Sequence, residues 1–375
     1  MTVPSAEAPR NVDDTPIKNH GLIGNMRSAA LVSTSGEIDF FCYPEFDSPS
    51  IFASLLDREK GGSFSLRPES DDFVTNQLYV PDTNVLLTRF LFDESIAEIT
   101  DLMPVGNDPV GHCLFRRLIV LEGEIQFRMQ CRPRFDYARS AHRIAIKGNE
   151  ATFSPENKGI PAMILRASIA LDATDDAATA SFTLKAGQHA YFVFGAAEHV
   201  LAEKDLEDEV PKRIENTCSY WKAWSNKSTY RGRWREIVQR SALVLKLLTS
   251  EKYGSLIAAP TFSLPEQIGG PRNWDYRYTW LRDASFTLYA LSRLGYIDES
   301  KNFNRWMKER LTRGGNTDAP LQTMYGIDGR TNLDEIELKH LAGYRDSKPV
   351  HVGNAAYKQL QLDIYGELFD ATYLS

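Results

Sequence analysis

The sequence is poor in the residues that build disulfide frameworks and metal sites. Its 375 residues include four cysteines that lie far apart and form no CxxC pair, namely Cys42, Cys113, Cys131 and Cys218. We expect buried free thiols, because disulfides would require an exported protein. The seven histidines show no HxH or HxxxH spacing, so the sequence predicts no metal site.

Long apolar runs and excess positive charge are absent as well. No stretch approaches the roughly eighteen uncharged apolar residues of a transmembrane helix. The segment from Met1 to Pro16 is polar and has no apolar core of the kind that signal peptides carry. Lys and Arg number 43 against 50 Asp and Glu, a formal net charge of −7, which argues against a nucleic-acid partner. We therefore expect a cytoplasmic protein with no membrane or nucleic-acid partner.

The uneven distribution of tryptophan divides the chain into two parts, because all six tryptophans follow residue 220. The first part contains short runs in which apolar and polar residues alternate, as in Glu124–Arg132, and this period of two is typical of half-buried strands. Turn signals such as Ser35-Gly36 separate the runs. The pattern predicts an antiparallel β-sandwich over residues 1–200. The other predicted strands are Ser28–Ser33, Glu37–Tyr43, Val85–Phe92, Ala97–Leu102, Leu114–Leu121, Ile144–Lys147, Ala151–Ser154, Ala162–Ile169, Thr179–Leu184 and Ala190–Phe194.

The second part has helical periodicity. Residues 201–229 are first charged and then aromatic, and we expect a helical linker in which Trp221 and Trp224 share a buried face. Residues 230–375 then contain apolar residues at helical spacing, including Ile237. The predicted helices are Trp234–Thr249, Asp283–Leu294 with Gly295 after its end, Asp298–Leu311, and a last helix that begins near the N-cap candidate Asn354 and runs through Leu360, Ile364 and Leu368.

Aromatic and charged side chains concentrate between Trp274 and Asp283. A pyranose offers hydroxyl groups that suit forked, charged side chains and an apolar face that stacks on aromatic rings. Arg282 carries five donors in a rigid fork. Asp283 can accept from two hydroxyls, and a nearby helix start would favour its charge. The residues alone also allow a structural role, with Trp274 and Trp280 in the core and Arg282–Asp283 as a buried pair or helix cap.

Motifs along nearly the whole chain resemble, in family order, the glucoamylase- and trehalase-like glycoside hydrolases of family 15. Gly21-Leu-Ile-Gly-Asn-Met-Arg-Ser-Ala-Ala30 and Ile99-Thr-Asp-Leu-Met-Pro104 are similar to the trehalase-like N-terminal domain. Residues 260–283, His340-Leu-Ala-Gly-Tyr344 and Lys348-Pro-Val-His-Val-Gly-Asn354 are similar to the opening of the catalytic domain. The resemblance implies an (α/α)6 helical barrel, of which residues 230–375 would form an incomplete, N-terminal part.

The resemblance also assigns substrate-binding residues. It implies that Arg282 and Asp283 grip the non-reducing-end glucose, and that Tyr276 and Trp280 line the same pocket. Further candidates for binding the α-glucoside or oligosaccharide substrate are Trp274, Glu266 and Lys348.

Two positions depart from the family pattern, because Lys348 and His351 stand where arginines are expected. Lysine cannot reproduce a bidentate arginine contact. A sugar-binding contact at either position is therefore expected to be altered.

The implied chemistry is hydrolysis with inversion, in which two carboxyl groups stand about 6.5–9.5 Å apart. Glu335 and Glu337 are too close in sequence to flank a bond from opposite sides, and Glu367 is expected on a solvated helix face. We expect the general acid and general base to lie beyond Ser375, which leaves no catalytic residue in this chain.

The resemblance therefore predicts an O-glycosyl hydrolase that acts on α-glucan ends or trehalose and needs no cofactor or metal, and a truncated chain that is inactive alone. A non-catalytic glucoside-binding protein and a glycoside phosphorylase relative stay open as alternatives.

Overall fold

Short alternating segments in the first part of the chain form two antiparallel eight-stranded sheets. The structure is a computed structural model, and it describes residues 15–106, 112–313 and 320–373. The first sheet contains β1 (His20–Gly24), β2 (Ala29–Ser33), β3 (Glu37–Cys42), β4 (Ser50–Phe52), β5 (Ser63–Pro68), β10 (Glu124–Arg132), β14 (Asp172–Ala173) and β15 (Ala178–Lys185). The second contains β6 (Val74–Tyr79), β7 (Leu86–Leu91), β8 (Ile96–Leu102), β9 (Leu114–Glu122), β11 (His142–Lys147), β12 (Glu150–Pro155), β13 (Met163–Ala167) and β16 (His189–Ala196).

Apolar side chains from both sheets meet in one shared core. The first sheet runs in the order β1-β2-β3-β5-β10-β15-β14, with β4 paired to β3, and the second in the order β11-β12-β13-β16-β9-β8-β7-β6. The ring of Phe64 in the first sheet lies 6.4 Å from that of Phe192 and 6.3 Å from that of Phe194 in the second. The antiparallel, strand-rich first part that the alternation predicts is therefore present.

Every strand predicted from alternation is found, with ends that shift by at most two residues. The prediction missed β1, β4, β5, β6 and β14. Strand β6 shows why, because its sequence Val-Thr-Asn-Gln-Leu-Tyr is largely polar and its residues are exposed or half-buried. It lies at the edge of the second sheet. Because neither face of this strand is fully buried, its sequence need not alternate between apolar and polar residues.

A buried ion pair joins the two sheets. Arg116 in β9 and Asp101 in β8 are fully buried, and Nε of Arg116 lies 2.7 Å from Oδ1 of Asp101. The same guanidinium donates to the backbone oxygens of Phe64 in β5 and of Gly36 in the turn between β2 and β3, at 2.7 and 2.8 Å. One side chain thus satisfies acceptors from both layers, which offsets the cost of burying its charge.

The second part of the chain is helical, as its periodicity predicts. A short turn, α1 (Phe135–Ala138), lies in the first part, and the later helices are α2 (Leu206–Ser225), α3 (Arg235–Leu247), α4 (Leu281–Arg293), α5 (Asp298–Arg313) and α6 (Asp363–Tyr373). Three two-stranded antiparallel sheets accompany them, namely β17 (Phe262–Pro265) with β18 (Asn273–Asp275), β19 (Thr279–Trp280) with β20 (Met324–Tyr325), and β21 (Ile336–Glu337) with β22 (His351–Val352). Trp221 and Trp224 are buried as expected.

The prediction for the last helix was wrong about its start. Asn354 does act as a cap, since its side chain accepts from the backbone N–H of Ala356, but it caps only a 3-10 turn that ends at Lys358. The carbonyls of Tyr357 and Gln359 accept from the side chains of Gln322 and Thr323, so they are withdrawn from helical pairing. The helix proper begins at Asp363.

Two residues assigned to buried helix faces are exposed instead. Leu360 is 62% exposed because it lies in the segment between the 3-10 turn and α6, and Ile237 is 65% exposed although it lies within α3. Phe303, Trp306 and Met307 of α5 are buried.

None of the described cysteines forms a disulfide, and Cys42, Cys113 and Cys131 are buried whereas Cys218 is half-buried. Within the same ranges, no helix combines the length and the apolar character needed to cross a membrane.

We predict that the substitution Asp101→Ala lowers the free energy of unfolding by about 3–5 kcal/mol, because it leaves the Arg116 guanidinium buried without a counter-ion. Urea denaturation measures the change. The control is Glu124→Ala, which removes an exposed pair in which Glu124 lies 3.6 Å from Lys185 and should change the free energy by no more than about 0.5 kcal/mol. Equal effects of the two substitutions would contradict the linking role of Asp101.

Candidate functional site

Aromatic residues of the Trp274–Asp283 segment line a cleft of about 270 Å³. Strand β18 and Trp280 of β19 supply one wall, and Glu335 together with the turn that follows β22 supplies the facing wall. The lining residues are Trp274, Tyr276, Trp280, Glu335, Asn354, Ala355, Ala356 and Gln359. The structure therefore brings together the three aromatic residues that the sequence predicts for the site.

The aromatic wall is built from rings held at defined angles. The centroid of the Tyr276 ring lies 6.1 Å from that of Trp280, which is only 8% exposed. The Trp280 indole N–H is buried and has no hydrogen-bond acceptor among the described residues. The Trp274 indole N–H donates to Oε1 of Glu266 at 3.2 Å. This wall therefore has flat apolar ring faces and one indole N–H donor, that of Trp280, which is not used by the described residues.

Arg282 and Asp283 adjoin this wall at the first turn of α4. They do not line the cleft directly, but the Arg282 guanidinium carbon lies 5.6 Å from the centre of the Trp280 ring. Nη1 of Arg282 donates to Gln361 at 3.3 Å and to Asp363 at 3.2 Å, while Nη2 lies 3.6 Å from Oδ2 of Asp283. Both charged groups are held beside the cleft, and each is about two-fifths exposed.

The carboxylate of Asp283 is poorly satisfied. Burial raises its pKa above the ordinary value, and the nearby Arg282 charge only partly opposes this. Its Oδ2 atom is buried and accepts no hydrogen bond from the described residues. A buried acceptor of this kind is unusual in a folded protein, and it leaves Asp283 able to bind a ligand hydroxyl.

The facing wall contains Glu335, which the sequence raised only as an unlikely catalytic group. Its Oε2 accepts from the backbone N–H of Ala355 at 3.3 Å, and its Oε1 lies 3.5 Å from Nε2 of His351. The His351 ring in turn lies nearly parallel to that of Trp274, with centroids 6.4 Å apart and an interplanar angle of 14°. His351 thus connects the two walls.

The other predicted residues lie further from the cleft. Glu266 supports Trp274 and lies 3.4 Å from Arg272. Lys348 is exposed and does not line the cleft. Glu266 therefore contacts the cleft residue Trp274, whereas Lys348 lies apart from the other predicted site residues.

The sequence analysis missed Asp275 and Arg277, which are fully buried beneath the cleft. Nε and Nη2 of Arg277 lie 2.9 and 2.7 Å from the Asp275 carboxylate. Arg277 also donates to the Ser48 carbonyl at 2.7 Å and to the Tyr137 hydroxyl at 3.1 Å, both in the first part of the chain. In strand Asn273–Asp275 the buried Asn273 and Asp275 alternate with the half-buried Trp274, a signal that alternation within the motif could have given. Arg277 follows two residues after the strand ends.

Asp275 also holds the facing wall. Its Oδ2 accepts from the backbone N–H of Gly353 at 3.2 Å, and its carbonyl accepts from the Asn354 side chain at 3.1 Å. Gly353 has a φ of +82°, and a Cβ there would lie 2.1 Å from the Asp334 carbonyl oxygen, so only glycine fits this turn. Across the described ranges, no three His, Cys, Asp or Glu residues are grouped so that they could hold a metal ion.

Two family models match this chain. The model of glycosyl hydrolases family 15 matches residues 232–375, which include the cleft, and the model of the trehalase-like N-terminal domain matches residues 11–221, which include both sheets.

Curated relatives match over most of the chain. A trehalase of Thermoplasma volcanium is 35% identical over 95% of this chain and 56% of its own length. A trehalase of Mycolicibacterium smegmatis is 32% identical over 96% of this chain and 57% of its own length. Trehalase 1 of Sulfolobus acidocaldarius is 35% identical, over 95% and 60% respectively. The chain therefore spans little more than half the length of these relatives.

We predict that Asp283→Asn leaves the free energy of unfolding at pH 7 unchanged or raises it. Because the pKa of Asp283 is raised on folding, the folded state binds more protons between pH 3.8 and the raised pKa. Wild-type stability therefore falls as the pH rises through that window, and the variant lacks this loss. Thermal unfolding between pH 3 and pH 7 measures the difference.

Asp334→Asn is the control, because the pKa of Asp334 is lowered in the folded protein whereas that of Asp283 is raised. Hydrogen bonds from Tyr357, Lys358 and Asn332 lower the pKa of Asp334 to about 2, so its contribution to stability is present above pH 3.8 and is lost as the pH falls. This variant should be less stable than the wild type at pH 7. A loss of stability in Asp283→Asn equal to that in Asp334→Asn would show that Asp283 serves the fold.

Proposed function

Because the chain belongs to glycoside hydrolase family 15 and carries a trehalase-like N-terminal domain, we propose that it supplies the sugar-gripping part of an enzyme that hydrolyses trehalose. The observation that carries this proposal is the cleft walled by Trp274, Tyr276 and Trp280 beside the Arg282–Asp283 pair. The names of the relatives favour trehalose over an α-1,4-glucan end as the substrate.

The proposed binding mode follows from the donors and acceptors at the cleft. The apolar face of one glucose unit packs against Trp280 and Tyr276. Its hydroxyls donate to the unsatisfied Oδ2 of Asp283 and accept from Arg282 and from the buried indole N–H of Trp280. Charged partners of this kind make the stronger hydrogen bonds, so they fix the orientation of the sugar.

Lys348 and Glu266 have secondary roles in the proposal. Glu266 orients the Trp274 ring through its indole N–H. The exposed Lys348 does not line the cleft, so we give it a binding role only for substrates longer than a disaccharide.

The domain arrangement is proposed as residues 1–200 for the β domain, 201–229 for the helical linker and 230–375 for the N-terminal part of an (α/α)6 barrel. Helix faces in this last part bear exposed apolar side chains, among them Phe286 in α4 and Phe369 in α6, which are 58% and 78% exposed. Further helices of the same barrel would cover such faces.

In this proposal the chain binds and orients the substrate, and the two proton-transferring glutamates lie outside its 375 residues. Glu335 is engaged with Ala355 and His351, Glu337 is exposed, and Glu367 does not line the cleft. The two glutamates would supply a general acid for the leaving oxygen and a general base for the attacking water. The reaction requires no cofactor or metal.

We predict that Arg282→Ala weakens the binding of trehalose by about 10- to 100-fold, which corresponds to the roughly 1.5–3 kcal/mol of hydrogen bonds to a charged group. Isothermal titration calorimetry on the 375-residue chain measures the affinity, with maltose as the alternative ligand. The control is Arg293→Ala at the other end of α4, where the guanidinium lies over the Tyr289 ring at 5.1 Å. Equal weakening in both variants would contradict the proposed contact.

Two assays test where the catalytic glutamates lie and which α-glucoside is the substrate. Glucose release from trehalose by the 375-residue chain, abolished by Asp283→Ala, would overturn the placement of the catalytic glutamates outside it. Tighter binding of maltose than of trehalose would instead favour an α-glucan substrate.

A further inference from the structure

The outward face of the first sheet contains a second concave site, far in sequence from the cleft. It is a groove of about 480 Å³ that crosses strands β3, β5, β10, β15 and β14. Its polar lining residues are Ser35, Glu37, Arg58, Ser63, Ser65, Arg67, Arg128, Gln130, Asp172, Thr179 and Ser181. No aromatic residue lines it, so the groove lacks the stacking surface that distinguishes the cleft.

The strand register arranges these side chains in two rows. In one row Arg67, Arg128 and Ser181 are direct cross-strand partners. In the neighbouring row Gln130 lies between Ser65 and Thr179. The rows are two residues apart along each strand and are therefore separated by about 7 Å, close to the width of one sugar ring.

The first row places two positive charges directly opposite each other. Cross-strand partners have Cβ atoms about 4.5–5.5 Å apart, and like charges at such positions destabilise a sheet. Arg67 has only a loose partner, Asp71, at 3.7 Å, and the Asp71 side chain is 77% exposed. Among the described residues no carboxylate forms an ion pair with Arg128. Within the described part of the chain, the only counter-charge of this row is therefore the exposed Asp71 beside Arg67, and Arg128 has none.

The acidic residues of the groove do not neutralise this row. Glu37 is buried and is paired with Arg58 at 2.6 Å. Asp172 lies at the far end of the second row, opposite Thr179. The groove is therefore positive at one side, while its other side carries hydroxyl, amide and carboxylate groups.

We propose that this groove binds a sugar that carries an oxyanion, such as a sugar phosphate or a sugar acid. The oxyanion lies between Arg67 and Arg128, where forked guanidinium groups suit its geometry. The sugar hydroxyls face Gln130, Thr179 and Asp172. The site is distinct from the cleft and does not depend on the function proposed for the cleft.

Calorimetric titration of the 375-residue chain with glucose 6-phosphate and glucuronate tests this proposal, with Arg128→Gln as the variant. Both ligands should bind the wild type, and Arg128→Gln should weaken both at least tenfold. Without ligand, Arg128→Gln should have an equal or higher Tm, because the substitution removes the repulsion from Arg67. A lower Tm without ligand would show that Arg128 is structural and would overturn the proposal.

Two further measurements separate the contribution of the sugar hydroxyls to the affinity at the groove from that of the phosphate group. Gln130→Ala should weaken glucose 6-phosphate binding but leave inorganic phosphate binding unchanged. Inorganic phosphate that binds as tightly as glucose 6-phosphate would contradict the role given to the hydroxyl-facing row.

Arg282→Ala separates the two sites. It should leave glucuronate binding at the groove unchanged whether or not the cleft binds trehalose. Loss of glucuronate binding in Arg282→Ala would assign that binding to the cleft and overturn the groove proposal.

Discussion

The buried ion pair between Asp275 and Arg277 is the contact on which the geometry of the cleft depends. Two charges without water are costly unless each finds several partners. Here Arg277 bonds Ser48 and Tyr137 in the first part of the chain, and Asp275 receives the N–H of Gly353 behind the facing wall. One pair therefore fixes both walls of the cleft against the β sheets.

The sheets can serve as this support because they are themselves tied together. The Arg116 guanidinium bonds Asp101 and the backbone oxygens of one residue in β5 and one in the turn between β2 and β3, and phenylalanine rings fill the space around it. The order of dependence runs from Tyr137 and Ser48 to Arg277, and then through Asp275 to strand β18 and the turn at Gly353. A binding site on such rigid supports loses little freedom when a sugar binds.

Alternation of apolar and polar residues was sufficient to predict the central strands, because burial of one face imposes that period. It was insufficient for the polar edge strand β6. Helical periodicity was likewise insufficient for the start of the last predicted helix, where the side chains of Gln322 and Thr323 donate to the carbonyls of Tyr357 and Gln359. The motif between Trp274 and Asp283 identified the aromatic wall. It did not reveal that Asp275 and Arg277 point away from the cleft, since the burial of a charge depends on partners more than 100 residues away in sequence. For the same reason, the exposed position of Lys348 could not be predicted.

The most direct test of this account is hydrogen exchange on the variant Arg277→Met. The control is Arg272→Met, which changes an arginine just before β18 whose side chain is 72% exposed. Amides of β17, β18 and residues 351–356 should lose protection in Arg277→Met alone, together with trehalose affinity, while the central strands of both sheets stay protected. Unchanged protection in those segments, or an equal loss in Arg272→Met, would contradict the central role of the buried pair.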